Sequence, residues 1–287
     1  MSTLLWSRGR LHAPDEPLAT GVDHGLTVGD GAFETCAVYD GQAFALTRHL
    51  RRLARSAHGL GLETPDEDEI RAGVKAVLEA ATPDVGRLRI TLTAGPGPLG
   101  SHRNEPGESR QTVIVLAGPA PRMTVSRAVR VPWVRNERSA VAGLKTISYA
   151  ENVVALARAH HHGADEAILA NTVGELCEGT GSNVLVERGG ELVTPPLSSG
   201  CLAGITRELL LEWSAEAGLP VREGAPGELP FEVLDDVLAG EAHLALSGSI
   251  RNVVPVVSLD EVDVAPGELT RAAQELFQAR LADDLDP

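Results

Sequence analysis

An α/β (α+β) protein of two domains is the architecture this sequence predicts, and three observations predict it. Strand-like and helix-like periodicities alternate along the first half of the chain. A proline-rich break, Gly118-Pro119-Ala120-Pro121, interrupts them near the middle. A length of 287 residues is enough to enclose two cores of ordinary size. The expected divisions are a small α/β domain over 1–118, a linker over 119–126 and a larger domain over 127–287, with a site between the two domains, where pockets tend to lie.

Residues 32–39 and 43–46 read as a hairpin around Asp40-Gly41. Thr47 then stands as the cap of a helix whose stripe, Leu50, Leu53, Ala57 and Leu60, has helical spacing. Thr64-Pro65-Asp66-Glu67 opens a second helix in a capping-box pattern with proline at the first helical position. Its stripe is Ile70, Val74, Val77, Leu78 and Ala81. Strands over 87–94 and 111–117 follow, joined by a long Gly/Pro-rich loop. That loop spells Gly95-Pro96-Gly97-Pro98-Leu99-Gly100, formally the GxGxxG of a dinucleotide site. Such a site needs a helix at the third glycine, and Ser101–Gly107 is loop sequence. The two prolines also remove backbone donors a phosphate would want.

Beyond the break, a strand near 125–134 leads to a helix from about 149 to 162. Strands over 166–170, 183–188 and 191–194 come next, the last two joined by Gly189-Gly190. A helix from Ile205 presents Leu209, Leu210 and Trp213 and stops at Gly218, a C-terminal glycine. A strand over 242–247 and an amphipathic helix (Leu269, Ala273, Leu276, Phe277, Leu281) complete the pattern. His160-His161-His162 ends the 149–162 helix. Consecutive histidines point different ways around a helix and do not converge on one ion, while cations suit the negative helix end, so no metal is expected.

Composition narrows the function. The formal charge of -15, from 25 Lys+Arg against 40 Asp+Glu, argues against a nucleic-acid partner. Cys36, Cys177 and Cys201 have no metal-ligand spacing and cannot all pair, which suits a reducing cytoplasm. The opening MSTLLWSRGR lacks an apolar signal core, and no apolar run has spanning length, so a soluble protein with no membrane partner is expected.

The chemistry concentrates between residues 143 and 206. Gly143-Leu144-Lys145-Thr146-Ile147-Ser148-Tyr149-Ala150-Glu151-Asn152 places a lysine just ahead of a helix. Glu178 lies in Cys177-Glu178-Gly179-Thr180-Gly181-Ser182-Asn183-Val184. Gly200-Cys201-Leu202-Ala203-Gly204-Ile205-Thr206 then feeds directly into a helix, offering backbone N–H groups and a hydroxyl at a positive helix end. Each stretch is ordinary alone; their order and spacing are not. Together with Gly29-Asp30-Gly31-Ala32-Phe33-Glu34-Thr35, His49-Leu50-Arg51-Arg52-Leu53 and Ser247-Gly248-Ser249-Ile250-Arg251-Asn252-Val253-Val254-Pro255-Val256, they make the chain resemble the class IV (fold type IV) pyridoxal-phosphate enzymes over nearly its whole length. That family includes branched-chain and D-amino-acid aminotransferases, R-selective amine transaminases and aminodeoxychorismate lyases.

The resemblance implies roles. Lys145 would hold pyridoxal 5′-phosphate as a Schiff base and, once displaced, shuttle the Cα proton. Glu178 would face the pyridine nitrogen and keep it protonated. Arg52, at the His-x-x-Arg-Leu position, would grip the phosphate, joined by Ile205, Thr206, Ser249 and Ile250. Asn152 and Asn183 read as scaffolding. Tyr149 either touches the cofactor's 3′-oxygen or shapes the pocket wall. The larger C-terminal domain would bind the cofactor, and a homodimer is implied.

For substrate, Phe33 and Thr35 would face the site from a strand, and Arg251 is the expected cation for a carboxylate. His102 and Arg103 lie in the loop where D-amino-acid aminotransferases carry Arg-x-His; this chain has them in the other order. Two reactions fit: transamination between an amino donor and a 2-keto acid, which is favoured, or β,γ-elimination of pyruvate from aminodeoxychorismate. A ligand-binding relative that lost catalysis has no reason to keep Lys145, Glu178 and Arg52 together.

Overall fold

In the computed structural model, which describes residues 3–105, 107–108 and 110–287, the chain forms two compact units. Pro106, part of the loop read above, and Met1-Ser2 lie outside the described residues. The first unit comprises Met1–Pro121, Leu144–Tyr149 and Leu285–Pro287; the second comprises Arg122–Gly143 and Ala150–Asp284.

The first unit opens with β1 (Leu4–Ser7) and β2 (Arg10–His12), followed by α1 (His24–Thr27), β3 (Gly31–Tyr39) and β4 (Gln42–Ala43). Two helices, α2 (Leu46–Gly59) and α3 (Glu67–Glu79), precede β5 (Arg87–Thr93) and β6 (Thr112–Gly118). The strands make one antiparallel sheet in the order β2-β1-β6-β5-β3-β4. Alternation along β3 divides its side chains between two faces. Ala32, Cys36 and Val38 join Leu50, Leu53 and Ala57 of α2, and Ile70, Val74 and Val77 of α3, in one core. Phe33 and Thr35 lie on the other face, opposite Thr91 and Arg89 of β5.

The Asp40-Gly41 turn forms with both residues at positive φ (49° and 75°), the geometry that lets two twisted strands close tightly. Its second strand is shorter than the 43–46 expected, because Ala45 adopts the left-handed conformation and α2 begins at Leu46. Thr47 is therefore inside the helix rather than its cap. Asp286, from the far end of the sequence, accepts from the Thr47 amide at 2.8 Å and from its hydroxyl at 2.6 Å, doing the capping instead. In α3 the cap is Asp66, whose carboxylate accepts from Glu69 N at 3.0 Å, two residues beyond the expected Thr64.

The lysine segment Leu144–Tyr149 lies beyond the proline-rich break in sequence yet belongs to the first unit. The reason is backbone pairing along β3: Phe33 N donates to Lys145 O at 3.0 Å, and Ile147 N donates to Gly31 O at 3.0 Å. Ser56 Oγ of α2 accepts from Lys145 N at 3.1 Å.

The second unit contains β7 (Ser126–Arg135), α4 (Ala150–His161), β8 (Glu166–Asn171), β9 (Leu176–Gly179), β10 (Asn183–Arg188) and β11 (Glu191–Thr194). A short 3-10 turn, Leu197–Ser199, precedes α5 (Ile205–Ala217), β12 (Val221–Glu223), α6 (Val233–Ala239) and β13 (His243–Gly248). The last elements are β14 (Asn252–Leu259), β15 (Val262–Asp263) and α7 (Glu268–Asp283). The sheet runs β12-β11-β10-β13-β14-β7-β8-β9, and a further β9–β10 pairing closes six of these strands into a ring. One core joins Val184, Val186, Leu244, Leu246, Val254 and Val256 to Val233, Leu234 and Val237 of α6. Another joins Val129, Val131, Ala167 and Leu169 to Ala155 and Ala159 of α4. Gly218 ends α5 at φ 68°, as the sequence predicts. Among the described residues no helix is long and apolar enough to cross a membrane, and all three cysteines are free and buried.

Candidate active site

The first unit gathers Lys145, Phe33, Thr35 and Tyr149. Lys145 Nζ stands 4.4 Å from the centroid of the Phe33 ring and 5.9 Å from that of Tyr149. The two rings meet edge to face at 5.2 Å, so Tyr149 walls this place. The same Phe33 ring carries a second cation: the Arg89 guanidinium lies 3.9 Å from its centroid. Arg89 Nε donates to Thr91 Oγ1 at 3.2 Å, and among the described residues no carboxylate pairs with Arg89. Burial pushes its guanidinium below its ordinary value, with the nearby Tyr149 phenol working the other way. Sequence reasoning missed Arg89. The signal was present, because Arg87 and Arg89 alternate within the expected 87–94 strand and so share one face, opposite Thr35.

Arg52 lies on the helix-bearing side of β3. Glu34 holds it side-on: Arg52 Nε donates to Oε1 at 2.8 Å and Nη2 to Oε2 at 2.7 Å. His49 Nδ1 meets the same Oε2 at 2.6 Å, and all three side chains are buried. Burial alone would raise the Glu34 carboxyl, but the Arg52 charge and hydrogen bonds, helped by His49, outweigh it and hold that carboxyl far below the usual range. Burial lowers the His49 imidazole, opposed by Glu34. Neither Glu34 nor His49 was given a role from the sequence, although both lie in the quoted runs, because chain order does not show that a strand carboxylate and a helix imidazole meet.

Two expected substrate cations are engaged elsewhere. Arg103 is clamped by Asp30, with Nε and Nη2 each 2.6 Å from a carboxylate oxygen, and its Nη1 donates to Gly61 O at 3.1 Å. Arg251 donates through Nη1 to Ser126 Oγ at 2.8 Å and Asp165 Oδ1 at 3.0 Å, and through Nη2 to Glu166 Oε2 at 3.1 Å. Arg251 already faces two carboxylates and Arg103 one, so each guanidinium is engaged within the chain. His102 is exposed in the same loop as Arg103.

The second unit gathers Glu178 with its supports. Arg135 Nε donates to Glu178 Oε1 at 3.0 Å, and Leu202 N donates to Oε2 at 2.9 Å. Arg135 is itself steadied by Asn152 Oδ1 at 3.1 Å, and the Asn152 amide donates to Thr180 O. Arg135 was also missed: it lies one residue past the expected 125–134 strand, and its partner is 43 residues away. Ile205 and Thr206 form the first turn of α5, and both are buried. No side chain caps that helix at Gly204. A Cβ at Gly204 would run into Asn183 Oδ1, while Asn183 Nδ2 donates to Leu202 O at 2.8 Å. Ser249 and Ile250 sit in the turn between β13 and β14. His162, just past the end of α4, meets Glu261 Oε1 through Nδ1 at 2.8 Å.

These residues fit the cofactor that the resemblance names. The Ser247 hydroxyl, on β13 directly across from Asn183, is buried with no hydrogen-bond partner among the described residues. It adds an unsatisfied donor beside a helix start that is uncapped and cleared of a Cβ, the surroundings a phosphate satisfies. Glu178 is a carboxylate fixed at both oxygens, suited to a protonated ring nitrogen. Lys145 is one of only two lysines, and the other, Lys75, is three-quarters exposed on α3.

Comparison with known proteins agrees. The model of the family described as "Amino-transferase class IV" matches residues 31–259. A Methanocaldococcus jannaschii protein provisionally named a branched-chain-amino-acid aminotransferase is 32% identical, over 89% of this chain and 88% of its own length. A Mycobacterium tuberculosis protein named bifunctional aminodeoxychorismate lyase / D-amino acid transaminase is 30% identical, over 73% of this chain and 77% of its own. Among solved structures, a hypothetical aminotransferase from Mycobacterium tuberculosis in its PLP-bound form superposes with TM-score 0.83 at 27% identity, covering 99% of this chain and 100% of that one. The chain therefore belongs to the class IV aminotransferase family, whose cofactor is pyridoxal 5′-phosphate.

Proposed function

We propose that this enzyme is a transaminase, moving an amino group in ping-pong fashion from an amino acid (D-amino acids included) or an amine to a 2-keto acid. The observation that carries the reading is the pair of cations on one aromatic ring. Lys145 Nζ and the Arg89 guanidinium both lie on Phe33, at 4.4 and 3.9 Å from its centroid. A donor whose amine meets the lysine's partner has a cation for a single carboxylate on the same face of the sheet. Arg251 and Arg103, the other candidates for a substrate carboxylate, are already paired with carboxylates of the chain.

Bound pyridoxal phosphate supplies the electron sink. In the proposed assignment Lys145 anchors the cofactor through Nζ, yields to the incoming amine, and then carries the substrate's Cα proton on that nitrogen. Glu178, set by Arg135 and Leu202 N, holds the proton on the pyridine nitrogen. Arg52, Ile205, Thr206, Ser249 and Ile250 take the phosphate, combining a guanidinium with a helix start. Phe33, Thr35 and Tyr149 shape the substrate side. The homodimer implied by the family belongs to the same proposal.

The test is a half-reaction. D-alanine, D-glutamate or an R-amine is added in excess with no acceptor, and the cofactor's visible absorbance is followed. At least one donor should bleach it, and pyruvate or 2-oxoglutarate should restore it. If no donor bleaches the band while aminodeoxychorismate gives 4-aminobenzoate and pyruvate in steady turnover, the enzyme is a lyase.

A further inference from the structure

A buried carboxylate outside the catalytic set ties together two loops of the second unit. Glu166 opens β8 and is 1% exposed. It accepts from Thr180 N at 2.8 Å, Gly181 N at 3.3 Å and Ser182 Oγ at 2.7 Å, and from the Thr180 hydroxyl. These donors make up the loop between Glu178 on β9 and Asn183 on β10. Glu166 Oε2 also accepts from Arg251 Nη2 at 3.1 Å, and Arg251 follows Ser249-Ile250 directly. Asp165 reinforces the grip: it accepts from Arg251 Nη1 at 3.0 Å, from Arg127 N at 2.8 Å and from the Ser126 hydroxyl. The two loops also touch, since a Cβ on Gly248 would stand 3.1 Å from Gly181 O.

We infer that Glu166 and Arg251 are positioning residues: their ion pair sets the Ser249-Ile250 turn against the 180–182 loop and thereby holds the turn in shape for the cofactor's phosphate. The inference rests on the proposed phosphate role of Ser249, Ile250 and Thr206. A turn of this kind left to itself samples several backbone wells, and ordering each residue costs conformational entropy. Fastening the turn before the ligand arrives moves that cost from binding to folding, which is how preorganisation raises affinity. It also explains why an arginine beside a candidate anion site points to carboxylates instead: it addresses the scaffold, and the anion is left to hydroxyl and backbone groups.

The experiment uses apoprotein of the full chain and measures dissociation constants for pyridoxal phosphate and for pyridoxal, which lacks the phosphate. The ratio of the pyridoxal constant to the pyridoxal-phosphate constant isolates the phosphate's share, because both ligands react with the same lysine. In Arg251→Met and Glu166→Gln that ratio should fall about tenfold, the scale seen when a group that orients a ligand is removed, with pyridoxal affinity nearly constant. Arg251→Lys should recover part of the loss. Thermal melts establish that each variant folds, and Arg251→Met, altered at the rim of the network, carries the test if Glu166→Gln does not fold. Parallel weakening of both ligands, or no change in either, overturns the inference. So does an unchanged pyridoxal-phosphate affinity with a raised KM for the amino donor, which would return Arg251 to the substrate. A wild-type ratio near one would instead remove the phosphate cup itself, and the inference with it.

Discussion

Replacing Glu34 by leucine should unfold the first unit far more readily than its single position in a strand suggests. Its carboxylate receives Arg52 at 2.8 and 2.7 Å and meets His49 at 2.6 Å, and none of the three side chains is more than 4% exposed. Glu34→Leu leaves a buried guanidinium facing an apolar side chain. Removing one partner of a buried pair costs about 3–5 kcal/mol. For a unit of this size that corresponds to a fall in Tm of roughly 10–20 °C. Glu34→Leu with Arg52→Met exchanges the pair for apolar groups of similar bulk and should return to within about 2 kcal/mol of the parent. Cofactor affinity should not return with it, because the proposed phosphate guanidinium is gone. Acid should act in the same direction. Both Glu34 and His49 have folded values below their ordinary 4.5 and 6.5, so the unfolded chain binds more protons. Stability therefore declines as pH falls through 6.5 for His49, and more steeply below 4.5 for Glu34, and the double variant should lose the second phase. Circular-dichroism melts and urea titrations of apoprotein across that pH range measure all of this. A Glu34→Leu Tm within about 3 °C of the parent would refute the reasoning.

Borohydride reduction of the holoenzyme should fix the cofactor on Lys145; a peptide map placing it on Lys75 would end the assignment. Glu178→Gln should keep the fold and bind the cofactor but slow the half-reaction on the order of 10²-fold, the usual scale for a lost preorganised charge. Stopped-flow absorbance reads that rate. Arg89→Ala should raise KM for amino-acid donors by about tenfold or more, while donors that are plain amines keep theirs, because only the former carry a carboxylate. Asp286→Ala should cost about 1 kcal/mol in urea unfolding, the ordinary worth of a helix cap, although it lies one residue from the end of the chain.

Elements governed by neighbours along the chain were legible in the sequence. The Asp40-Gly41 and Gly189-Gly190 turns, the start of α5 at Ile205 and its stop at Gly218 follow from residues within one turn of each other. The family motifs around Lys145, Glu178 and Gly204-Ile205-Thr206 were equally plain, being short runs with fixed spacing. The cap of α2 was not, since Asp286 reaches Thr47 across 239 residues. Nor was the grouping of Lys145 with β3, which depends on backbone pairing that leaves no periodic trace.

The arginines show the limit most clearly. Arg52, Arg89, Arg103 and Arg251 are the same group in a sequence, and what each does depends on whether a carboxylate reaches it. Glu34 reaches Arg52 from 18 residues away, Asp30 reaches Arg103 from 73, and Glu166 reaches Arg251 from 85, while Arg89 meets an aromatic face instead. Local pattern determined where the strands and helices run, because hydrophobic period and turn chemistry act over a few residues. Only the tertiary structure decided which guanidinium stays available, because charges pair by distance in space and the chain order says nothing of that distance.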